Sequence, residues 1–469
     1  MRYRTLGPST FLAGAMLLLC AWLWPLLAAA RRPAEPPPTR SDMTLDAATR
    51  RAVLDSAIKT LKALYVFPDT AAKMEAALRE HERRGDYDRM TLGPAFAERL
   101  TLELRELSQD RHLYVGYSVA PLPEEHDPKP SPRNDDEEYR RTAERQNFGF
   151  ERVERLPGNI GYLDLRGFYR TQVAAEAAFA AMALVADTGA LIIDLRNNGG
   201  GNPTMIALLA AYFLEGERVH LSDVVWRSED RVEPLFAWPY VPGKRYTTRP
   251  VYLLTSRDTF SAGEAFAYIL KSHQRATLIG ETTGGGANAG RGHRIGAHFQ
   301  MIVPAGRVVS PVTHSNWEGT GVQPDVQIPA SIALETAHRD ALTRLAASER
   351  DPAWARQLAD LASNAQKRLD EARAKLPPEV APSLAGNTVF RLPGASFARR
   401  VALAGSFNSW DPTRTPCARQ GTSDWVCRID LGPGRYTYQF VVDGLRLHDP
   451  ANPSLQVDEE GKVSSVLTK

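Results

Sequence analysis

The chain has 469 residues, a length that suits about three domains of roughly 150 residues each. At 43% hydrophobic and 24% charged it has an ordinary globular composition, able to bury a sizeable core. A formal net charge of +2 excludes a global pull toward nucleic acid or an anionic membrane surface.

The first thirty residues have the form of an export signal. Arg2 and Arg4 precede an apolar run, Phe11 to Ala30, which ends in small residues before Arg31-Arg32. The run is also about 20 residues long, enough to span a bilayer. Residues 1–30 therefore read as a cleaved signal peptide or a membrane anchor, with residues 11–30 as the tether in the second case. Cys20 follows Leu19, where a lipoprotein site needs a small residue, so lipidation is rejected. Either way the body is expected outside the cytoplasm, periplasmic or anchored facing the periplasm or extracellular side. There Cys417 and Cys427, the pair in the exported part, can form one disulfide; two buried free thiols are the other reading.

Proline-rich residues 31–42 read as a linker. From Met43 the apolar spacing is helical, with Val53, Ile58, Leu61 and Leu64 near one face. Three helices and a strand, "RHLYVGYSV", make residues 43–118 a small helical domain ending in the strand that follows His112. Residues 119–147 are charged and proline-broken, the composition of a mobile connector. Residues 148–346 alternate strands and helices, which implies parallel pairing through crossovers. Residues 347–384 read as a helical linker. Residues 385–469 are all-β, at a size suited to one sandwich. The expected fold class is α+β multidomain: a helical bundle, an α/β core and a β-sandwich.

In α/β sheets ligands sit at the carboxyl ends of strands. Three loops leave such ends: "DLRNNGGGN", "TSRDTFSAGE" and "GETTGGGA". No Gly-Lys-Ser/Thr follows the glycines, so a phosphate loop is excluded. Ser261 begins a helix, where free N–H groups and the macrodipole favour negative charge. Glu264 three residues later is equally the signature of a capping box, in which Ser261 would only close the helix. As a nucleophile Ser261 would need a base, a lysine or a histidine. Asp194 and Arg196 are expected to organise a strand end rather than react. No histidine/carboxylate cluster has metal-ligand spacing, so no metal and no cofactor are expected.

"IIDLRNNGGG", "TSRDTFSAGEAFAYILKSHQRATLIGETTGGGA" and "NWEGTGVQPDV" together resemble the tail-specific, or C-terminal processing, serine peptidases. With "RHLYVGY" and "LPGNIGYLDLRGF" the resemblance is closer to the branch of the tricorn core and the interphotoreceptor retinoid-binding repeats. It implies a crotonase/ClpP-like core. The classical branch places a lysine base in the loop that here reads "ETTGGG", and Gly286 stands in its place. The tricorn-like branch implies His112 as general base, Glu318 as its acidic partner and Ser261 as nucleophile. Backbone N–H groups of Gly200 and Ala262 would form the oxyanion hole. That branch has a serine before the histidine; Arg111 stands there, which leaves open whether Glu318 orients His112 directly or Asp110 helps. No PDZ domain fits between His112 and the core. The substrate implied is a polypeptide; the alternative on this fold is a non-catalytic hydrophobic-ligand or protein-binding module.

"VALAGSFNSWDP" and "GRYTYQFVVDGLRLHDPANP" resemble the glycogen-binding module of the AMP-activated kinase β-subunit, an immunoglobulin-like early-set domain. Trp410 would be one sugar platform. Leu445 and Arg446 stand where the second tryptophan is expected, and Gln439 replaces the contact lysine. Glucan or a protein is thus the partner class for this domain, and a glucan-associated scaffold is a further alternative.

Overall fold

The structure, a computed structural model, describes residues 44–123, 134–376, 380–458 and 462–469. The expected signal or anchor, the linker at 31–42 and the tether at 11–30 lie outside the described residues. No helix among the described residues is long and apolar enough to cross a membrane.

The chain enters α1 (Ala47–Leu64) through Asp46, whose carboxylate accepts the Thr49 amide at 2.7 Å. Helices α2 (Pro68–Arg83) and α3 (Gly93–Ser108) each carry a proline in their first turn, where its missing N–H costs nothing. Gln109 ends α3 in the left-handed region, and Asp110–His112 turn the chain into β1 (Tyr114–Tyr117). These helices do not close a bundle of their own. Val53, Leu54, Leu61, Met74, Phe96 and Leu100 share one core with Phe299, Met301 and Val303, far along the chain. Three short amphipathic helices cannot cover all their apolar faces; a sheet completes the job.

The expected connector contains a helix, α4 (Asn134–Arg145). It is followed by β2 (Phe150–Leu156), β3 (Ile160–Leu165), α5 (Thr171–Val185), β4 (Ala190–Asp194) and α6 (Pro203–Phe213). Next come β5 (His220–Trp226), β6 (Arg231–Phe236), β7 (Val251–Thr255), α7 (Ala262–Ser272) and β8 (Thr277–Gly280). Then β9 (Ala289–Gly296), β10 (Phe299–Val309) and β11 (Val326–Gln327) precede α8 (Ala333–Ser348) and α9 (Pro352–Ala374). The main sheet has the order β11-β8-β7-β4-β3-β2 and is parallel except for the β2/β3 pair. Strands β3, β4 and β7 are buried along their length, as both faces of such a sheet are covered. One side packs on α5, α6 and α7, the other on α8 and α9. The expected linker helix thus belongs to this body: Leu358, Ala365 and Leu369 of α9 are buried.

A second sheet, β1-β10-β5-β6 with β9 on β10, is antiparallel throughout. Apart from β1 its strands were not legible: β6 carries Pro234, and β9 carries two glycines and two arginines in its first six residues. The sheet carries β1 and hence fixes where His112 begins.

The C-terminal region holds two sheets facing one core. One is β12 (Thr388–Leu392), β15 (Asp424–Ile429) and β14 (Ala418–Gln420), in the order β12-β15-β14. The other is β13 (Val401–Gly405), β16 (Arg435–Val442), β19 (Val463–Thr468) and β18 (Leu455–Val457), with β17 (Leu445–Leu447) on β16. Phe390, Leu403, Trp425, Tyr438 and Phe440 fill the space between. A disulfide joins Cys417 to Cys427, across the β14/β15 pair in which Ala418 faces Val426.

Candidate active site

The three loops predicted to meet do meet, at the carboxyl ends of β4, β7 and β8. After β4, Asn198 is fully buried and holds the glycine run in place. Its amide nitrogen donates to the Leu165 carbonyl (2.8 Å), and its side-chain oxygen accepts the Gly200 N–H (2.9 Å). Its backbone carbonyl accepts the Phe260 amide at 2.9 Å, which ties this loop to the turn before α7. Gly200 has φ +111, and a Cβ there would lie 2.8 Å from Ser261 Cβ and 3.0 Å from the Ala262 nitrogen. Glycine is required by this close approach. Asn198 was not singled out from sequence; the signal was the Asn-Asn before the glycines.

Ser261 follows β7 in a sharp turn and occupies the N-cap of α7 with φ 52 and ψ −116, a strained backbone for a residue with a side chain. The reciprocal Ser261/Glu264 arrangement of a capping box is present, but its two halves are unequal. Glu264 accepts the Ser261 amide at 2.9 Å, whereas the Ser261 hydroxyl makes no side-chain cap hydrogen bond. The hydroxyl faces the N3 amide of its own helix and has no partner across the site among the described residues. The Ala262 N–H, first of the helix, has no partner among the described residues, which suits it to an anion.

Gly200 does not stand in the same way. Its N–H is already donated to Asn198, so only Ala262 of the two expected oxyanion donors is unengaged.

Glu264 is far more than a first-turn carboxylate. It is wholly buried and accepts four hydrogen bonds: Ser261 N (2.9 Å), Thr283 Oγ1 (2.5 Å), Gly285 N (2.6 Å) and Gly286 N (2.9 Å). Burial pushes its pKa up and these donors pull it back. The "ETTGGG" loop is therefore pinned to the helix that begins at Ser261.

His112 lies in the turn before β1. Its backbone N–H donates to Asp110 Oδ1 (3.0 Å), and Asp110 Oδ2 accepts Tyr65 Oη (3.3 Å) and Asn288 Nδ2 (3.2 Å). Glu318 Oε2 accepts the amides of Ala287 (2.7 Å) and Asn288 (2.9 Å). One donor atom each from Asp110, His112 and Glu318 lie within 4.8 Å of one another. Three atoms here are buried without a partner: His112 Nδ1, Glu318 Oε1 and Asn288 Oδ1. Burial, then the Arg105 and Arg111 guanidinium groups, hold the His112 imidazole down at about 4. Burial, then Asp110, push Glu318 up; burial likewise pushes Asp110 up. These three are also the described residues whose donors could hold a metal ion, but the two arginines beside them oppose a second cation.

Phe260 stands between the two halves. Its ring packs on His112 with centroids 4.6 Å apart, and no hydrogen bond joins the Ser261 hydroxyl to His112 among the described residues. Gly286 lies against both: a Cβ there would be 2.6 Å from His112 Cε1 and 2.3 Å from the Phe260 ring. Arg111 donates to the Gly284 carbonyl (2.5 Å) and lies over the Phe260 ring at 5.5 Å. Asp194 and Arg196 pair with each other, and Tyr162 donates to Asp194 (2.7 Å).

In the C-terminal region Trp410 is half-buried, with Arg446 folded onto its ring at 5.9 Å and bonded to its carbonyl. Gln439 is buried and donates to the Val463 carbonyl, so it cannot contact a ligand.

Residues 159–328 match peptidase family S41; residues 43–147 match the N-terminal domain of that family in eukaryotic IRBP; residues 387–468 match the glycogen recognition site of AMP-activated protein kinase. The 5'-AMP-activated protein kinase subunit beta-1 of Rattus norvegicus is 37% identical over 89 residues, 19% of this chain and 31% of that protein. The chloroplastic carboxyl-terminal-processing peptidase 1 of Arabidopsis thaliana is 28% identical over 188 residues, 39% of this chain and 37% of that protein. A solved structure, the photosystem II D1 C-terminal processing protease, is 26% identical with a TM-score of 0.31, covering 38% of this chain and 45% of that one. The chain spans only about a third of the length of these curated relatives. Over three segments in succession, the chain is thus similar to the IRBP-type N-terminal domain, to peptidase family S41 and to the kinase's glycogen recognition site.

Proposed function

We propose that the protein is an exported serine endopeptidase of the tail-processing type, acting on polypeptides through an acyl-enzyme on Ser261. In this reading the core is crotonase-like and the last domain an immunoglobulin-like early-set module. His112 Nε2 takes the Ser261 proton as Oγ attacks the scissile carbonyl carbon. The oxyanion that forms accepts the Ala262 N–H; Gly200 contributes only when its amide exchanges Asn198 for the oxyanion. The imidazolium then returns the proton to the leaving amine, and water, activated by the same histidine, releases the acyl group. Glu318 holds the imidazolium through Nδ1–H.

One observation carries this reading. His112 Nδ1 and Glu318 Oε1 are both buried and both without a partner, in one cluster against the residue that precedes Ser261. Buried polar atoms are rarely left so unless their function needs them. In this reading His112 turns past Phe260 so that Nδ1 reaches Glu318 and Nε2 faces Ser261. The Cys417–Cys427 disulfide supports export, since such bonds persist in oxidising compartments. Glucan or a protein as partner of the last domain rests on the similarity of residues 387–468 alone.

The packing of Phe260 on His112 favours a second reading, a non-catalytic binding protein on the same fold. Labelling with a serine-reactive fluorophosphonate separates the two. Wild type should label at a single site, Ser261→Ala should not label, and His112→Ala should label about 10² to 10⁴ times more slowly. A wild type that neither labels nor cleaves an unfolded polypeptide is a binding protein.

A further inference from the structure

The turn that carries His112 and the loop that faces it are both held by the C-terminal sandwich. Arg399, just before β13, donates from Nη1 to the Thr283 carbonyl (2.6 Å) and from Nη2 to the Gly319 carbonyl (2.7 Å). One planar guanidinium thereby bridges the "ETTGGG" loop and the turn that bears Glu318. The geometry suits arginine's fork and no other side chain. Gly319 N in turn donates to the Gly285 carbonyl (2.9 Å), so the bridge closes a ring of backbone contacts around Glu318.

Asp443, in the turn between β16 and β17, completes the joint. Its carboxylate accepts the Arg399 amide (3.0 Å) and the Arg400 amide (2.8 Å), and lies 3.8 Å from Arg111 Nε. Its carbonyl accepts Arg111 Nη2 at 3.2 Å, while Nη1 of the same arginine reaches Gly284. Arg111 is the neighbour of His112 and sits where the related branch has serine. Farther along α3, Glu106 accepts the Ser396 amide (2.6 Å) and Glu98 accepts the His448 amide (2.8 Å). Leu102 of α3 is buried in the sandwich core itself. The sandwich is thus seated on the helix and turn that deliver His112 as well as on the loops that deliver Glu318.

We propose that the C-terminal sandwich is a built-in partner of the active site, and that Arg399 is a positioning residue for Glu318 and the Thr283–Gly286 loop. This rests on the serine-peptidase reading for its effect on rate, but not for its effect on structure. Glu264 holds the loop from the side of Ser261, through its four hydrogen bonds; Arg399 holds it from the opposite side. Between them the loop sets the distance from Ser261 to Glu318, and through Gly286 the space left for the His112 ring. The Asp443–Gly444 turn precedes the position of the missing second sugar platform. Here that turn faces Arg111 and Arg399 rather than an open surface.

The test uses the full chain with Arg399→Ala, Arg399→Lys and Asp443→Asn. Amide hydrogen exchange is read at residues 283–288 and 317–321, and in β13 and β16 as an internal control. The fluorophosphonate reaction is read as a saturating rate and a half-saturating concentration. Arg399→Ala should speed exchange in the two loops about tenfold, leave β13 and β16 protected, and lower the saturating rate about tenfold or more at unchanged half-saturation. Arg399→Lys should recover part of the rate, since an ammonium can reach one carbonyl but not clamp both. Asp443→Asn, which keeps Arg399 and removes the anion beside it, should give a smaller loss of the same kind. Unchanged exchange in both loops in Arg399→Ala overturns the proposal. So does loss of protection throughout the sandwich in both Arg399→Ala and Asp443→Asn, which would make these residues part of that domain's own stability. A wild type that fails to label defeats the peptidase reading, while the exchange measurements still decide the positioning.

Discussion

The two walls of the site differ in how fully their buried polar groups are paired. On the Ser261 wall Asn198 and Glu264 are saturated, Glu264 with four donors and Asn198 with two neighbouring loops. On the His112 wall three buried atoms, on His112, Glu318 and Asn288, have no partner. The Ser261 wall is also the more deeply buried: Asn198 and Glu264 are inaccessible, whereas His112 and Glu318 are half-buried. A saturated buried network fixes a backbone and resists change. An unsaturated one keeps capacity for a proton or a new bond at a cost in stability. On the proposed mechanism the first wall is the frame that holds Ser261 at a strained φ, and the second the part that moves protons.

If that contrast is right, the two glutamates should answer substitution in opposite ways. Glu264→Ala strands four buried donors and should cost on the order of 3 kcal/mol in urea unfolding, with labelling of Ser261 lost as the loop relaxes. Glu318→Gln keeps an acceptor for the Ala287 and Asn288 amides and removes an unpartnered buried carboxyl. Stability should then change by less than about 1 kcal/mol, while labelling slows about tenfold to a hundredfold. Equal destabilisation by the two would erase the distinction between frame and proton relay.

Gly286→Ala tests the gap between the walls. A Cβ would meet His112 Cε1 at 2.6 Å and the Phe260 ring at 2.3 Å, far inside contact distance. Overpacking of this kind costs about 1–3 kcal/mol, and labelling should slow because the imidazole is displaced. A side chain at position 286 would enter the space of the His112 ring, so a lysine there and this histidine would exclude each other sterically.

Much of this frame was legible in the sequence, because glycine-rich loops after apolar runs announce strand ends and because the three loops had to converge at one edge of a parallel sheet. Ser261, His112 and Glu318 lie on three different elements around one site, with no hydrogen bond from the Ser261 hydroxyl to His112 among the described residues, and Ala262 has an unengaged N–H. What was not legible has common physical causes. In the second sheet, β6 and β9 are interrupted by proline, or by glycine and arginine, and their pairing depends on neighbours distant in sequence. Glu264 read as a cap because its partners, Thr283, Gly285 and Gly286, sit on a loop that only the fold brings to it. Gly200 read as an oxyanion donor because a side chain two residues away, Asn198, turns back on its amide only in three dimensions. The role of Arg399 was invisible for the same reason, since a charged pair at the start of a strand reads as solvated surface.

The smallest expected effect is in pH, and within the His112 wall it separates the imidazole from the carboxyls by sign. His112 is held at about 4 against an ordinary 6.5, chiefly by burial and then by Arg105 and Arg111. The unfolded chain therefore binds a proton that the folded chain refuses between those two values. The stability this group allows is complete above about 6.5 and falls as pH is lowered toward 4. Glu318 and Asp110 are pushed the other way, so the folded chain keeps protons there that the unfolded chain has released. Their contribution is lost as pH rises through their folded values. For the rate, a histidine already neutral at pH 5 keeps its capacity as a base, and labelling should show no acid limb near 6.5. It should instead rise from neutral toward alkaline pH as Glu318 ionises and can hold the imidazolium. Glu318→Gln should flatten that rise while leaving the acid side unchanged. An acid limb centred near 6.5 in wild type would mean that His112 titrates in water, clear of Arg105, Arg111 and the buried cluster in which it lies.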